Sequence, residues 1–197
     1  TQRELIFMTK EIDFYFDFIS PYSYLAHQKI NQTKNVTFKY KPVLVGGLHN
    51  LQGITAPAFI LPKLKHMISD CNLIAKRDKS NFIWNSKFPI NSLNIMRGYL
   101  FIDNETKNSY LNLIFDAYWK DNLDISNEEI LKSILNKCTI NPINFFDGIK
   151  DPQIKEELKN VTQAAHDKEI FGAPTFVVNN KIFWGQDRLE FALDEYN

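Results

Sequence analysis

The sequence predicts an α/β fold in which strand-forming segments at the two ends of the chain flank a large helical insertion. Three observations predict this. Residues 11–19 alternate apolar and polar side chains with period two, and residues 111–119 place an apolar face at helical spacing. Residues 175–184 form two short β-branched and aromatic runs around a two-residue turn, which is typical of a hairpin.

The first strand is followed at once by a helix and then by a second strand. Ser20-Pro21 ends the alternating segment. Serine is a preferred N-cap, and proline is favoured in the first helical position because its missing N–H would have no partner there. The pattern after it predicts a helix ending near Asn31, and alternation over residues 36–41 predicts a second strand. A strand–helix–strand unit favours parallel pairing.

The middle of the chain is dominated by helical spacing. We expect a loop from Gly46-Gly47 to residues 53–57, because both stretches are rich in glycine or proline. Beyond it, apolar positions at helical spacing predict helices around residues 111–119, 130–135 and 154–165. The segment 124–129 supplies an N-cap and acidic residues for the second of these helices.

The last thirty residues return to strands. Thr175-Phe176-Val177-Val178 and Lys181-Ile182-Phe183-Trp184 are the predicted hairpin strands, joined by Asn179-Asn180. Gly185 ends the second strand, and Asp187 is the predicted cap of a final helix. The inner face of that helix carries Leu189, Ala192, Leu193 and Tyr196.

This order of elements is typical of a thioredoxin-like fold with an inserted helical domain. We assign residues 10–45 and 170–197 to the thioredoxin-like domain and residues 46–169 to the insertion. A chain of 197 residues with 44% hydrophobic residues buries enough surface to fold without a disulfide or a metal. The four histidines form no group with metal-ligand spacing, so no metal is predicted.

Composition excludes several functional classes. The net charge is zero, which removes the electrostatic case for a nucleic-acid or anionic-membrane protein. Cys71 and Cys138 form no CxxC pair, so a disulfide framework is not expected and a reducing, cytoplasmic location is favoured. No apolar stretch is long enough to span a membrane. For residues 1–7, a native start and an extension preceding a native Met8 remain equal alternatives.

The segment Ser20-Pro21-Tyr22-Ser23 carries the first chemical signal. In thioredoxin-like oxidoreductases this place holds Cys-x-x-Cys, because the start of a helix stabilises a thiolate. Here both thiol positions are hydroxyls, so the site cannot form a disulfide. It keeps a geometry that stabilises an anion and lacks the nucleophile, which favours a sulfur that arrives on a ligand.

The second signal is Ala173-Pro174, placed where thioredoxin-like folds carry a cis-proline before a strand. The backbone of Ala173 would then face the start of the first helix and pair with a peptide ligand like an added strand. A cysteine-containing peptide satisfies both signals, and glutathione is the abundant one in a reducing cytoplasm. Its γ-glutamyl end needs a polar socket, which residues 185–188 could supply.

Four segments in this order resemble the kappa-class glutathione transferases and the related bacterial 2-hydroxychromene-2-carboxylate isomerases. They are residues 13–26, 88–97, 171–176 and 183–190. The resemblance covers most of the chain and implies a DsbA-like thioredoxin fold. It also implies a homodimer and a glutathione site, with an aromatic or electrophilic small molecule as substrate.

The resemblance implies roles for individual residues. Ser20 matches the catalytic serine that hydrogen-bonds the glutathione sulfur, and Ala173 matches the residue that pairs with the peptide backbone. The glutathione site as a whole comprises Ser20, Pro21, Tyr22, Lys63, Ala173, Pro174, Gln186 and Asp187. Lys63 matches a basic residue near the glycine carboxylate. One departure is Ile54 or Thr55, where relatives often carry an asparagine that helps to bind glutathione.

The substrate is expected in an apolar cleft between the two domains. Trp84, Phe88, Met96 and Tyr99 are candidates to line it, and Arg97 is a candidate partner for a substrate carboxylate. Each choice has a structural alternative. Ser20 could serve only as a helix cap, Gln186 and Asp187 could cap the last helix, and Arg97 could form a surface or dimer ion pair.

Three functions remain open from the sequence. The first is a glutathione-dependent isomerase of aromatic compound catabolism, in which the bound thiolate adds reversibly to a conjugated aromatic enone acid. The second is a kappa-class transferase or peroxidase acting on electrophiles. The third is a redox-inactive thioredoxin-like binding protein. A serine hydrolase is disfavoured because the sequence has no G-x-S-x-G elbow.

Overall fold

The computed structural model describes residues 10–197, so the alternatives for Met8 and residues 1–7 lie outside the described part. In chain order the elements are β1 (Ile12–Phe16), α1 (Pro21–Gln32), β2 (Phe38–Pro42), α2 (Val45–Gln52), α3 (Leu61–Asp78), α4 (Leu93–Phe101), α5 (Asn104–Trp119), α6 (Glu128–Lys137), α7 (Pro142–Gly148), α8 (Pro152–Asp167), β3 (Thr175–Val178), β4 (Lys181–Trp184) and α9 (Leu189–Tyr196). Short 3₁₀ turns span Pro57–Phe59 and Gln186–Arg188.

The sheet is mixed, with strand order β2-β1-β3-β4. The predicted parallel pair is confirmed, because β1 lies parallel to β2 with Phe14 opposite Tyr40. β3 runs antiparallel to β1 and pairs with β4 in the predicted hairpin. Asn179 and Asn180 of its turn have φ of 50° and 60°, the positive values expected there.

Both faces of β1 are covered. Phe14 and Phe16 face the main core, and the ring of Phe16 lies 5.9 Å from that of Phe115 of α5. Tyr15, which the alternation places on the opposite face, is also buried, because it packs with Val43 and Leu48. The strand β1 is therefore central in the fold, and the alternate side chains of its period-two pattern pack into the protein on both faces of the sheet.

The helices of the middle segment share one core with the sheet. The ring of Phe18, just beyond β1, lies 4.8 Å from that of Phe115. Leu48 of α2 and Ala165 of α8, which fall inside the predicted insertion, pack in one cluster with Tyr15. The division into two domains remains a prediction.

Two local expectations are corrected and one is confirmed. Gly46 and Gly47 lie in α2 and not in a loop. The N-cap of α6 predicted within residues 124–129 is confirmed as Asn127, whose side chain accepts from the N–H groups of Glu129 and Ile130. Asp187 does not cap α9, because the 3₁₀ turn Gln186–Arg188 intervenes and α9 begins without a side-chain cap. Within residues 10–197, no helix combines the length and apolarity that crossing a membrane requires.

Candidate active site

Ser20 stands between β1 and α1, at the start of the helix. Its backbone is extended, its hydroxyl oxygen accepts from the Ser23 N–H at 3.1 Å, and Pro21 occupies the first turn of α1. The first turn contains no acidic residue, so the positive end of the helix dipole is not neutralised locally. Ser20 therefore does cap α1, and this hydrogen bond orients its hydroxyl at a helix end that favours an anion.

The same hydroxyl contacts the segment before β3. The Ser20 Oγ–H donates to the Ala173 carbonyl at 3.2 Å, across 153 positions of sequence. The Ala173-Pro174 peptide bond is cis, as predicted. The Pro174 carbonyl accepts from the Gly185 N–H at 2.9 Å, which ties this segment to the turn that carries Gln186 and Asp187. The two chemical signals of the sequence thus meet at one place.

Tyr22 points away from the serine hydroxyl and towards α3. Its phenol donates to Asp70 at 2.8 Å, and burial together with neighbouring Cys71 and Asp70 raises its pKa. Lys63 lies on the exposed first turn of the same helix, seven positions before Asp70 and so on the same face, about 10 Å along the axis. Among residues 10–197, no carboxylate forms an ion pair with Lys63.

Gln186 and Asp187 differ in their surroundings. Gln186 is buried, and its Oε1 accepts from the Lys29 Nζ of α1 at 2.6 Å. Lys29 is also paired with Asp78 of α3 at 3.2 Å. Asp187 is exposed and pairs with the neighbouring Arg188 at 2.7 Å. The turn after β4 therefore offers a fixed amide and an exposed carboxylate that is paired with its neighbour.

The predicted substrate residues differ in their surroundings. Trp84 and Phe88 pack edge to face, with ring centroids 4.8 Å apart, and both contact Trp119. The Trp119 indole donates to the Phe18 carbonyl at 2.8 Å, which places this aromatic group against the segment that leads into Ser20. Met96, by contrast, is 0% exposed and belongs to the core.

Tyr99 and Arg97 also lie on α4. Tyr99 is buried, with its ring 5.3 Å from Phe16, so it too serves the core. Arg97 is half-buried, and its Nε is shielded from solvent without a hydrogen-bond partner in the described part of the chain. A guanidinium in this state is suited to an acceptor from outside the protein. Ile54, where relatives carry an asparagine, is 48% exposed.

Two residues that sequence reasoning did not assign to the site support its geometry. Lys29 resembles any solvent-facing lysine of an amphipathic helix, so nothing local marks its bond to Gln186. Asp17 is buried, and its carboxylate accepts from the N–H groups of Ile19 and Val45 at 3.1 and 2.9 Å. An acidic residue at the end of the alternating segment, three positions before Ser20-Pro21, is the local signal for this role.

Comparison with known proteins finds relatives that match over nearly the whole chain. A 2-hydroxychromene-2-carboxylate isomerase of Sphingobium xenophagum is 27% identical over 194 residues, covering 96% of this chain and 98% of the relative. A glutathione S-transferase kappa 1 of Caenorhabditis elegans is 27% identical over 203 residues, covering 93% and 89%.

A solved structure of a 2-hydroxychromene-2-carboxylate isomerase superposes with a TM-score of 0.85 at 24% identity, covering 93% of this chain and 92% of that one. At this identity the likeness establishes the fold: an α/β thioredoxin-like DsbA fold with a helical insertion. The family model described as the DSBA-like thioredoxin domain matches residues 11–197. The chain therefore belongs to the DSBA-like thioredoxin domain family.

Proposed function

We propose that this protein binds reduced glutathione and uses its thiolate to isomerise a conjugated aromatic enone acid, in the manner of a 2-hydroxychromene-2-carboxylate isomerase. One observation carries the proposal. The Ser20 hydroxyl sits at the start of α1, 3.2 Å from the carbonyl that precedes the cis-proline, with serine at both positions of the motif. Cys71 and Cys138 are both buried, so neither supplies a thiol in place of the ligand.

The contact between Ser20 and Ala173 suggests how a peptide thiol would enter. A cysteinyl N–H of the ligand would replace the Ser20 hydroxyl as donor to the Ala173 carbonyl. The hydroxyl would then be free to turn its hydrogen towards the ligand sulfur while its oxygen keeps the Ser23 N–H. The exchange leaves no donor or acceptor unpaired, so binding costs little in lost hydrogen bonds.

The start of α1 and the Ser20 hydroxyl together favour the ionised thiol. A helix N-terminus contributes about 0.3–1 kcal/mol, and a hydrogen bond to a charged group about 1.5–3 kcal/mol. At 1.36 kcal/mol per unit, these effects lower a thiol pKa of about 8.5 by roughly one to three units. A shift of more than about 1.5 units would make bound glutathione mostly thiolate at pH 7. Ser20 acts as a hydrogen-bond donor and needs no nucleophilic role.

The remaining groups of the ligand and substrate have partners of suitable chemistry. Gln186 and Asp187 would hold the carboxylate and ammonium of the γ-glutamyl residue, and Lys63 the glycine carboxylate. The aromatic group of Trp84 and Phe88 would contact an aromatic substrate, and Arg97 would pair with its carboxylate. Met96 is excluded from this role by its burial.

The proposed reaction is a reversible addition. The thiolate forms a C–S bond to the conjugated alkene carbon, and the electron pair of the alkene moves to the carbonyl oxygen as an enolate. The former double bond is now single and rotates. Collapse of the enolate then breaks the C–S bond and releases the other geometric isomer with free thiolate. Glutathione is regenerated, so it acts as a cofactor.

Calorimetry with reduced glutathione, followed by two assays, tests the proposal. We expect binding, and glutathione-dependent isomerisation of 2-hydroxychromene-2-carboxylate with no loss of free thiol over many turnovers. Absence of binding heat would exclude the proposal and favour a thioredoxin-like binding protein. Binding without isomerisation would exclude the isomerase.

A kappa-class transferase is the second candidate, because two curated relatives carry that name, including the nematode protein at 27% identity. In a transferase the adduct is released, so conjugation of chlorodinitrobenzene would consume one thiol per product. The stoichiometry of thiol loss therefore separates the two functions. The homodimer and the cytoplasmic location implied by the sequence remain proposals alongside either.

A further inference from the structure

We propose that Lys29 is a positioning residue of this site: it holds the side-chain amide of Gln186 so that its NH₂ group, and not its oxygen, faces the carboxylate of the γ-glutamyl residue. The inference rests on the proposed glutathione site. Lys29 lies on α1, far from Gln186 in sequence. By orienting the Gln186 amide, it would determine which group of the ligand that amide binds.

The contacts of Gln186 leave one orientation of its amide. The Lys29 Nζ lies 2.6 Å from Oε1, and an ammonium group only donates hydrogen bonds. If the amide were reversed, two donors would face each other at this distance. The Nε2 of Gln186 makes no hydrogen bond to any other residue of the described range, although the residue as a whole is only 6% exposed. Its donors are therefore available to an acceptor-only group, which a carboxylate is.

Lys29 is itself held in place from the other side. Its Nζ pairs with Asp78 at 3.2 Å, and Asp78 pairs with Arg77 at 2.7 Å. Arg77 contacts both carboxylate oxygens of Asp78, and Lys29 shares one of them, Oδ2. Lys29 and Asp78 are both largely shielded, with side chains 23% and 20% exposed. Lys29 therefore has little freedom to leave Gln186, and the line from Arg77 to Gln186 extends from α3 across α1 to the turn after β4.

Variant binding to glutathione and to one truncated analogue tests this role. The analogue is 4-aminobutyryl-cysteinyl-glycine, which lacks only the α-carboxylate of the γ-glutamyl residue. We expect the wild-type protein to bind glutathione about 10-fold or more tightly than the analogue, since a hydrogen bond to a charged group is lost. Lys29→Met should erase most of that preference by weakening glutathione binding, while its affinity for the analogue stays within about 2-fold.

Three further variants separate positioning from simple stability. Lys29→Arg retains a cationic donor and should restore at least part of the preference. Gln186→Glu keeps an acceptor for Lys29 but turns a carboxylate oxygen towards the ligand, so it should lose glutathione affinity as Lys29→Met does. Lys120→Met removes a similar lysine, paired with Asp116 at 3.2 Å in α5, and should bind both ligands as the wild type does.

Several results would overturn the inference. A Lys29→Met protein that weakens both ligands equally would show a general structural role. If Gln186→Glu binds glutathione as tightly as the wild type, the amide is not the group that recognises the carboxylate. If Lys29→Met has also lost glutathione affinity in that case, Lys29 binds the carboxylate itself. Equal binding of the two ligands by the wild type would remove the inference but leave the glutathione site. Binding of neither ligand would remove both.

Discussion

At the scale of single residues, the two serines of the motif have opposite surroundings. The Ser20 hydroxyl is bonded on both sides, accepting from Ser23 N–H and donating to the Ala173 carbonyl. The Ser23 hydroxyl is fully buried and has no hydrogen-bond partner in residues 10–197. The Ser20 hydroxyl can exchange a partner for a ligand, whereas the Ser23 hydroxyl is enclosed by the protein.

We predict that Ser20→Ala raises the pKa of the bound glutathione thiol by about 1–2 units, the equivalent of one hydrogen bond to a charged group. The thiolate absorbance near 240 nm, followed against pH in the complex, measures it. Ser23→Ala is the matched control: it removes an unpartnered buried hydroxyl, so it should leave the thiol pKa unchanged and alter stability by less than about 1 kcal/mol. An unchanged thiol pKa in Ser20→Ala would contradict the role assigned to that hydroxyl.

At the scale of elements, glycines in two helices have different reasons to be there. Gly98 of α4 lies where the helix crosses close to α5 and α7: a Cβ there would overlap the ring of Phe145 and lie 2.7 Å from the Tyr110 hydroxyl. A Cβ added at Gly46 of α2 would meet no atom within 4 Å. The first glycine is required by packing between helices, and the second only weakens its own helix.

Gly98→Ala and Gly46→Ala should therefore have opposite effects on stability, although the chemical change is the same. Helix propensity alone favours alanine by about 0.8–1.0 kcal/mol, which we expect for Gly46→Ala. For Gly98→Ala this gain is outweighed by overpacking of a buried aromatic contact, with a net loss of about 1–3 kcal/mol. Urea unfolding of both variants measures the difference, and destabilisation by Gly46→Ala would show that α2 needs the glycine for another reason.

At the scale of the whole molecule, Asp17 joins parts of the fold that are distant in sequence. Its carboxylate accepts from Ile19 in the segment before Ser20 and from Val45 at the start of α2. Burial, partly offset by these hydrogen bonds, raises its pKa from 3.8 to about 6. Asp17, which binds the segment before Ser20, is thus also a titrating group in the core.

This burial gives the free energy of unfolding a pH dependence. Between pH 4 and 6 the folded state retains a proton on Asp17 that the unfolded chain releases, so this contribution to stability falls as the pH rises through that window. We predict that Asp17→Asn reduces this decline in the free energy of unfolding by about 1–3 kcal/mol. At pH 4 the variant should be less stable than the wild type by about 1 kcal/mol, because one hydrogen-bond acceptor is lost. Unfolding curves at pH 4, 5, 6 and 7 test this. The exposed Asp103→Asn is the control, and equal slopes in wild type and Asp17→Asn would refute the prediction.

Local features of the chain were predictable because they depend on residues a few positions apart. The helix start at Ser20-Pro21, the helices over residues 111–119 and 154–165, and the hairpin at Asn179-Asn180 all follow from short-range periodicity, capping and turn preferences. The residues of the motif and the cis-proline could be chosen in the same way, since each stands beside a local helix or strand signal.

The tertiary structure alone decided what depends on contacts between distant residues. Gly46 and Gly47 read as a loop, yet they lie in a helix whose first N–H is held by Asp17 and whose Leu48 packs on the sheet. Met96 was predicted to line the substrate cleft, but it is buried in the core. The bond between Lys29 and Gln186 spans 157 positions. Such pairings arise when packing brings separate elements together, and no window of sequence contains both partners.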